Sequence, residues 1–142
     1  DYATVNDYYF HTMHHEFTHI LNQKIPYDEN FQHISEGNYV SGDWYQKRTS
    51  AANKKGFVTP YAMSEPLEDF AEMLSVYVTT SPSGWQKIMD TAGTTGAPFI
   101  QAKLDMVRAY MKNSWKLDID ELRSIVLRRA SEINHLDLNQ LK

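Results

Sequence analysis

The chain has 142 residues, the size of one domain, and its 42% hydrophobic and 23% charged residues are an ordinary globular composition. Its net charge of −4, without a basic stripe, argues against nucleic acid as a partner, because phosphate recognition requires clustered Lys and Arg. The chain contains no cysteine, which excludes disulfides and thiolate ligands, so any metal must be bound by His, Asp or Glu.

The first predicted element is a helix over residues 8–23, called helix one here. Apolar residues recur in this stretch at helical spacing, and Pro26 ends the run. The residues that carry this spacing are Phe10, Met13, Phe17, Ile20 and Leu21. Residues 1–7 show no charged start followed by an apolar run, so we expect no signal peptide within this sequence.

Residues 25–61 are rich in Gly, Asn, Ser, Asp and aromatic residues and contain only short apolar runs. We predict long surface loops here, with at most a short strand or helical turn. A loop of this length is unusual in a compact domain and is more often functional, so we expect it to surround a site. Trp44 and Tyr45 in this segment either line a substrate cleft or pack beneath the loop.

A second helix, called helix two, is predicted from Ser64 to about Val78. Ser64 offers a capping hydroxyl, and Pro66 has the fixed φ angle that suits a first helical turn. The expected inward stripe consists of Leu67, Phe70, Ala71, Leu74 and Tyr77 or Val78. Ser, Pro and Gly residues at positions 81–84 mark the end of this helix.

Further helical patterns follow helix two. In chain order they are a short helix over residues 85–91, a loop over residues 93–98 (GTTGAP) and a helix over residues 99–112. Asp118 and Glu121 form a capping box for a last helix that ends near Asn134. The inward residues of this last helix are expected to be Ile119, Leu122, Val126 and Ile133. The predicted fold class is therefore mainly α.

Helix one contains an HExxH motif made by His15, Glu16 and His19. Residues four apart lie on one helical face with Cβ atoms about 5–6 Å apart, so both imidazoles can reach one ion at about 2.0–2.1 Å. Glu16 lies roughly 100° around the helix from His15, where its carboxylate can accept a proton from metal-bound water. The motif predicts a zinc site with a general base beside it.

A catalytic zinc ion usually has three protein ligands, so a third must come from elsewhere. No further histidine follows His19 at a ligand spacing, but helix two carries Glu68 and Glu72 one turn apart. One carboxylate would complete a two-His, one-Glu site, and the other would receive the ring N–H of a ligating histidine. Asp69 is the alternative for either role if the helix is rotated. His11 is assigned a surface or outer role, because a fourth side-chain ligand would close the site.

The combined motifs resemble those of the gluzincin metallopeptidases. Tyr61 stands seven residues before Glu68, and Glu72 follows four residues later, which is similar to the second motif of the lethal-factor-like branch. The run FHTMHHEFTHILNQ at residues 10–23 is also similar to zinc-binding metallopeptidase lipoproteins of gut bacteria, the substrate import-associated zinc metallohydrolases.

Residue by residue, the resemblance implies His15, His19 and Glu68 as zinc ligands and Glu16 as the base. It further implies that Glu72 supports a ligating histidine and that Tyr61 donates a hydrogen bond to the tetrahedral intermediate. A phenol in that role stabilises an oxyanion by about 3–4 kcal/mol if it behaves like other oxyanion donors.

The function expected from this resemblance is zinc-dependent hydrolysis of peptide bonds in a peptide or protein substrate, with a water activated by Glu16. Two alternatives stay open. One is a non-catalytic binding module of a nutrient-uptake system that folds around zinc, although such a module would not need the base Glu16. The other is a zinc amidase that acts on a non-protein substrate with the same residues.

The resemblance also implies a location and a larger architecture. Residues 1–142 are expected to form a single zincin-like domain with a C-terminal helical subdomain, without the sheet that precedes the HExxH helix in full-length α+β relatives. We further expect export to the periplasm or outer membrane, tethering by a lipid anchor before Asp1, and association with a nutrient-import system.

Overall fold

The computed structural model describes residues 2–135, which form six α-helices and two short 3-10 segments. The helices are α1 (Tyr2–Lys24), α2 (Asn30–Ile34), α3 (Thr49–Lys54), α4 (Pro66–Thr79), α5 (Pro82–Trp115) and α6 (Ile119–Asn134). The 3-10 segments are Trp44–Gln46 and Tyr61–Met63. No β-strand occurs within residues 2–135, so the predicted mainly α fold is confirmed. Within the same range, no helix combines the length and apolar character needed to cross a membrane.

Helix α4 is the central element of the fold. Residues 69–78 are all buried, and α1, α2, α5 and α6 pack around them. The ring of Phe70 stacks on Tyr27 at a centroid distance of 4.5 Å and meets Phe31 and Tyr110 edge to face at 5.0 and 5.2 Å. Such aromatic contacts add to the free energy of apolar burial, so they fix the position of α4 in the core.

Helix α1 begins before the predicted position, and most of its regularly spaced apolar residues lie outside its buried face. Met13, Phe17 and Ile20 are exposed, and of the five residues that carry the helical spacing only Leu21 is buried. The buried side of α1 instead carries the polar residues His15, Thr18 and Asn22. The periodicity therefore predicted the helix correctly, but the apolar residues that carry it do not form the buried face, because the neighbouring surface of α4 presents carboxylates to α1.

Residues 25–61 form more structure than the predicted surface loops. They contain α2, α3 and the first 3-10 segment, and the side chains of Phe31, Ala52 and Phe57 are fully buried. The interpretation as a surface segment was therefore wrong for these residues, although the second half of the segment does end beside the candidate site described below.

The start of α4 differs from the prediction in its cap. Glu65 is the residue before the first helical turn, and the Ser64 hydroxyl donates to the Tyr61 carbonyl at 2.7 Å. Ser64 therefore closes the 3-10 segment Tyr61–Met63 rather than capping α4. Pro66 occupies the first turn as predicted, but Leu67 is exposed instead of facing inward.

Of the loop predicted over residues 93–98, the break between two helices is confirmed at Gly93, whereas residues 94–98 are helical. Gly93, with φ 65° and ψ −163°, is the one non-helical residue within α5, and Pro98 lies inside the helix beyond it. Gly96 packs directly on α3, where an added Cβ atom would lie 2.1 Å from the Asn53 carbonyl oxygen. Glycine at position 96 permits close helix packing rather than a turn, which explains why the Gly-rich pattern suggested a longer loop.

The predicted start of the last helix is confirmed. The Asp118 carboxylate accepts hydrogen bonds from the backbone N–H groups of Asp120 and Glu121 at 2.8 and 3.2 Å. Ile119 and Val126 are buried as expected, whereas Ile133 is exposed. The core thus ends before the last turn of α6.

Candidate metal centre

The structure brings together His15 and His19 of α1 and Glu68 of α4. Their ligand atoms are mutually close: His15 Nε2 lies 2.6 Å from Glu68 Oε2, His19 Nε2 lies 3.0 Å from the same oxygen, and the two Nε2 atoms are 3.0 Å apart. Within residues 2–135 this is the one cluster of three or more His, Cys, Asp or Glu side chains close enough to hold a metal ion.

The donor set fits zinc. Two imidazole nitrogens and one carboxylate oxygen are a known set of protein ligands for catalytic zinc. Bonds of about 2.0–2.1 Å in tetrahedral geometry would separate the ligand atoms by about 3.3 Å, so the atoms would need to move apart by about 0.3–0.7 Å from their separations of 2.6–3.0 Å. His15 is buried and the other two residues are half-buried, which holds the three side chains in place.

The Glu72 carboxylate lies directly behind His15. Its Oε2 atom is 2.9 Å from His15 Nδ1 and 2.6 Å from His11 Nε2, and its Oε1 atom accepts a hydrogen bond from the Thr59 hydroxyl at 2.8 Å. Burial alone would raise the pKa of Glu72, but the hydrogen bonds from His11 and His15 lower it to about 2. The carboxylate is therefore ionised at neutral pH and accepts the N–H of the His15 ring.

Tyr61 is on the 3-10 segment that leads into α4, and its side chain lies beside His15. Its ring is 5.5 Å from the His15 ring and 4.8 Å from the Trp44 ring, and a hydrogen bond of 2.8 Å from the Val40 N–H to the Met63 carbonyl anchors the segment. Burial and the nearby Glu68 carboxylate raise the pKa of Tyr61 to about 12. The phenol therefore keeps its proton at neutral pH and can act as a donor.

Glu16 is exposed and borders two cavities beside the histidine pair. One cavity has a volume of about 340 Å³ and is lined by Tyr8, His11, Thr12, His15, Glu16, Trp44, Tyr61 and Glu72. The other has a volume of about 270 Å³ and is lined by Glu16, His19, Asn22, Gln23, Leu67 and Glu68. An extended ligand that filled both cavities would contact Glu16 and the three clustered side chains.

Asp69, the rival of the two glutamates, faces away from the histidines. Its buried carboxylate lies 2.8 Å from Lys103 Nζ and accepts a hydrogen bond from the Tyr39 hydroxyl at 2.7 Å. Burial raises the pKa of Asp69 to about 6, against the opposing effect of Lys103. Helix α4 is therefore rotated so that Glu68 and Glu72 face α1, as the sequence analysis expected.

Sequence reasoning did not assign a partner to His11 and missed Thr59. The spacing of His11 one turn before His15 indicated a shared face, but not that both rings would contact the same oxygen of Glu72. Thr59 has no signature beyond its closeness to Tyr61, and only the fold brings its hydroxyl to Glu72. Trp44 lines the larger cavity, whereas Tyr45 is exposed.

Comparisons with known proteins show the family of this chain. Residues 1–120 match the sequence family described as "Putative zinc-binding metallo-peptidase". The chain belongs to that family. A crystal structure of a protein with the same description, from Bacteroides caccae, superimposes with a TM-score of 0.90 at 46% identity and covers 95% of this chain.

This family membership supports zinc as the predicted cofactor. The chain spans 52% of the Bacteroides caccae protein, so it corresponds to about half of that relative. A search of curated proteins finds no match.

Proposed function

We propose that this chain is the catalytic part of a zinc metallopeptidase of the gluzincin type, with His15, His19 and Glu68 as zinc ligands. The observation that carries the proposal is the convergence of their three ligand atoms, 2.6–3.0 Å apart, from two different helices. Family membership supports zinc and a peptidase role at a coarser level. The assignment to the lethal-factor-like branch rests on the spacing of Tyr61, Glu68 and Glu72.

Each residue has a distinct task in the proposed reaction. Zinc supplies Lewis acidity toward a peptide carbonyl and toward water. Glu16, at the border of both cavities, accepts the proton of the attacking water and returns it to the leaving amine. Tyr61 donates its hydroxyl proton in a hydrogen bond to the oxyanion, which its raised pKa of about 12 allows at neutral pH. Glu72 accepts from His15 Nδ1 and so orients the imidazole.

The position of Glu16 favours an enzyme over a zinc-folded binding module. A structural ion requires ligands but no base, and Glu16 is neither a member of the ligand cluster nor packed in the core. An exposed carboxylate bordering both cavities is available to a substrate. A zinc amidase would use the same residues, so the substrate must be identified by experiment.

The decisive experiment compares the full-length protein with Glu16→Gln and with the matched control Glu36→Gln, which alters an exposed carboxylate paired with His33 far along the chain. We expect zinc-loaded wild type and the control to cleave members of a peptide library. Glu16→Gln should lose about 100- to 10,000-fold in rate, the usual contribution of a general base, while keeping stoichiometric zinc. Unchanged activity in Glu16→Gln would remove this residue from the reaction, and cleavage of no peptide by wild type would refute the peptidase proposal.

The ligand set is tested by metal analysis of single variants. We expect His15→Ala, His19→Ala and Glu68→Gln each to reduce zinc below one equivalent after dialysis. Glu65→Gln, an exposed carboxylate at the start of the same helix, should retain full zinc. Stoichiometric zinc in Glu68→Gln would contradict the assignment of the third ligand.

We also propose that the whole protein is exported, lipid-anchored in the outer membrane and associated with nutrient import. The support is the likeness of residues 10–23 to lipoproteins of that kind. Cell fractionation and metabolic labelling with a fatty acid test this directly. Unlabelled protein in the cytoplasmic fraction would contradict both export and anchoring.

A further inference from the structure

Two histidines from successive turns of α1 contact the same carboxylate oxygen of Glu72. His11 Nε2 lies 2.6 Å and His15 Nδ1 lies 2.9 Å from Glu72 Oε2. Both rings therefore converge on a single acceptor atom from the same side. His11 Nε2 points at Glu72. His11 does not belong to the cluster formed by His15, His19 and Glu68.

Glu72 is a buried carboxylate, and its orientation depends on the groups that donate to it. A buried charge is tolerated only when hydrogen bonds replace its hydration. Thr59 satisfies Oε1, and the two histidines satisfy Oε2. Without His11, Oε2 would keep only the N–H of His15, and the carboxylate could turn about its terminal torsion, which is broad for glutamate.

The backbone of α1 also forms a hydrogen bond with α4 at the turn that contains His11. The Ser75 hydroxyl of α4 donates to the His11 carbonyl at 2.5 Å. Ser75 follows Glu72 by three residues on α4, so one turn of α4 contacts both the side chain and the backbone of His11. This double contact directs the His11 ring at Glu72 even though the side chain is 35% exposed to the larger cavity.

We propose that His11 is a positioning residue for the zinc site, which acts on His15 through Glu72. The inference rests on the proposed function in that it takes His15 as a zinc ligand. His11 holds Glu72, Glu72 fixes the tautomer and ring orientation of His15, and His15 presents Nε2 to the ion. His11 contacts neither the ion nor the substrate in this role.

The expected effect follows from the behaviour of outer residues in metal sites. Removing a direct hydrogen-bond partner of a ligating histidine typically lowers metal affinity about 10- to 100-fold. His11 is one step further out, and Thr59 still holds Glu72, so we expect a loss of roughly 5-fold in zinc affinity. The loss should depend on the presence of a donor at position 11 rather than on its ring.

The test measures zinc affinity of the full-length protein by chelator competition. His11→Leu removes the donor, whereas His11→Gln offers an amide N–H near the place of Nε2. We expect the fivefold loss in His11→Leu, recovery of most of it in His11→Gln, and no effect of His11→Leu when Glu72→Met, which removes both acceptor oxygens, is already present. Absorption spectra of the cobalt-substituted protein should change in His11→Leu and return toward wild type in His11→Gln.

Three results would overturn the inference: an unchanged affinity in His11→Leu, no recovery in His11→Gln, or an equal loss from His11→Leu in the Glu72→Met background. His33→Leu, which alters an exposed histidine paired with Glu36, is the matched control and should keep wild-type affinity. Failure of the proposed function looks different, because His15→Ala would then retain zinc. Loss of zinc in His15→Ala together with a neutral His11→Leu would refute only the positioning role.

Discussion

The two helices that form the candidate metal centre are stabilised in opposite ways. Helix α4 is buried along residues 69–78 and packs through apolar and aromatic side chains, whereas α1 leaves Tyr9, Met13 and Phe17 exposed. The buried side of α1 meets α4 through histidines and carboxylates. One helix is therefore fixed by the core, and the other is oriented by the polar groups of the site itself.

This difference links metal binding to the position of α1. The contacts between the helices include those of His15 with Glu68 and Glu72, of His11 with Glu72, and of Ser75 with the His11 carbonyl. Because two of the side chains in this set are proposed zinc ligands, zinc binding and the docking of α1 should be coupled. Helix α4 should keep its structure without metal.

The largest expected effect concerns apolar burial. Phe70 on α4 is 1% exposed and Phe17 on α1 is 47% exposed. We expect Phe70→Ala to lower the free energy of unfolding by about 4 kcal/mol, through lost burial and a cavity among aromatic rings. Phe17→Ala should change it by no more than about 0.5 kcal/mol. Urea unfolding of both variants measures the difference, and equal losses would remove the contrast between the helices.

The next effect concerns the buried ion pair that sets the rotation of α4. Lys103 Nζ contacts Asp69, donates to the Gly56 carbonyl at 2.8 Å and lies 3.9 Å from the centre of the Phe57 ring. Burial lowers the pKa of Lys103 and raises that of Asp69 to about 6, so desolvation outweighs the attraction between the two charges.

We therefore expect Lys103→Met to cost about 3 kcal/mol, because Asp69 would be left buried without its cation. The double variant Asp69→Asn/Lys103→Met should recover much of this stability, since Asn can still accept the Tyr39 hydrogen bond and neither position is then charged. Chemical unfolding of the single and double variants is the measurement. A double variant no more stable than Lys103→Met would mean that the loss comes from the missing contacts of Lys103 with the Gly56 carbonyl and the Phe57 ring, and not from the unpaired charge of Asp69.

Zinc removal is expected to have a smaller and more local effect. Free zinc at 100 times its dissociation constant stabilises a protein by about 2.7 kcal/mol if only the folded state binds. We expect hydrogen exchange in the chelated protein to be faster in α1 than in α4, and zinc to slow exchange most in residues 11–22. Equal changes in exchange rate along both helices would indicate that α1 and α4 open as one unit. That result would contradict the specific coupling of zinc binding to the docking of α1.

The contrast between the helices also explains what could be predicted from the sequence. The HExxH spacing and the Tyr61, Glu68, Glu72 spacing are local patterns, so the groups that the structure brings together could be named in advance. The orientation of α1 could not, because its exposed Met13 and Phe17 have the periodicity of a core face. Zinc binding by His15, His19 and Glu68, and catalysis by Glu16, stay predictions for the experiments above.

Contacts that depend on the tertiary fold were also beyond a single sequence. Thr59 reaches Glu72 only because the preceding segment folds back on α4, and Lys103 pairs with Asp69 across a core that no spacing rule describes. Gly96 looked like a loop residue because close packing on α3 and a turn both favour glycine. A local rule cannot separate these two uses.

The smallest expected effect is at the far end of α4, where the polar contacts are near the surface. The Tyr77 hydroxyl donates to Asp120 of α6, which also pairs with Arg108. The hydrogen bond from Tyr77, with help from Arg108 and against partial burial, holds the pKa of Asp120 below its usual value.

A depressed carboxylate pKa stabilises the fold above the unfolded-state value and loses this effect as the pH falls through the folded-state value. Because Asp120 is largely exposed, we expect Asp120→Asn to cost less than about 1 kcal/mol at pH 7 and nothing once wild-type Asp120 is protonated. Unfolding free energies of both proteins from pH 7 down to acid measure this, with Glu132→Gln in the exposed Arg128 pair as the control. A loss as large as that of Phe70→Ala would mean that polar contacts position α4 as they do α1, and the contrast between the helices would fail.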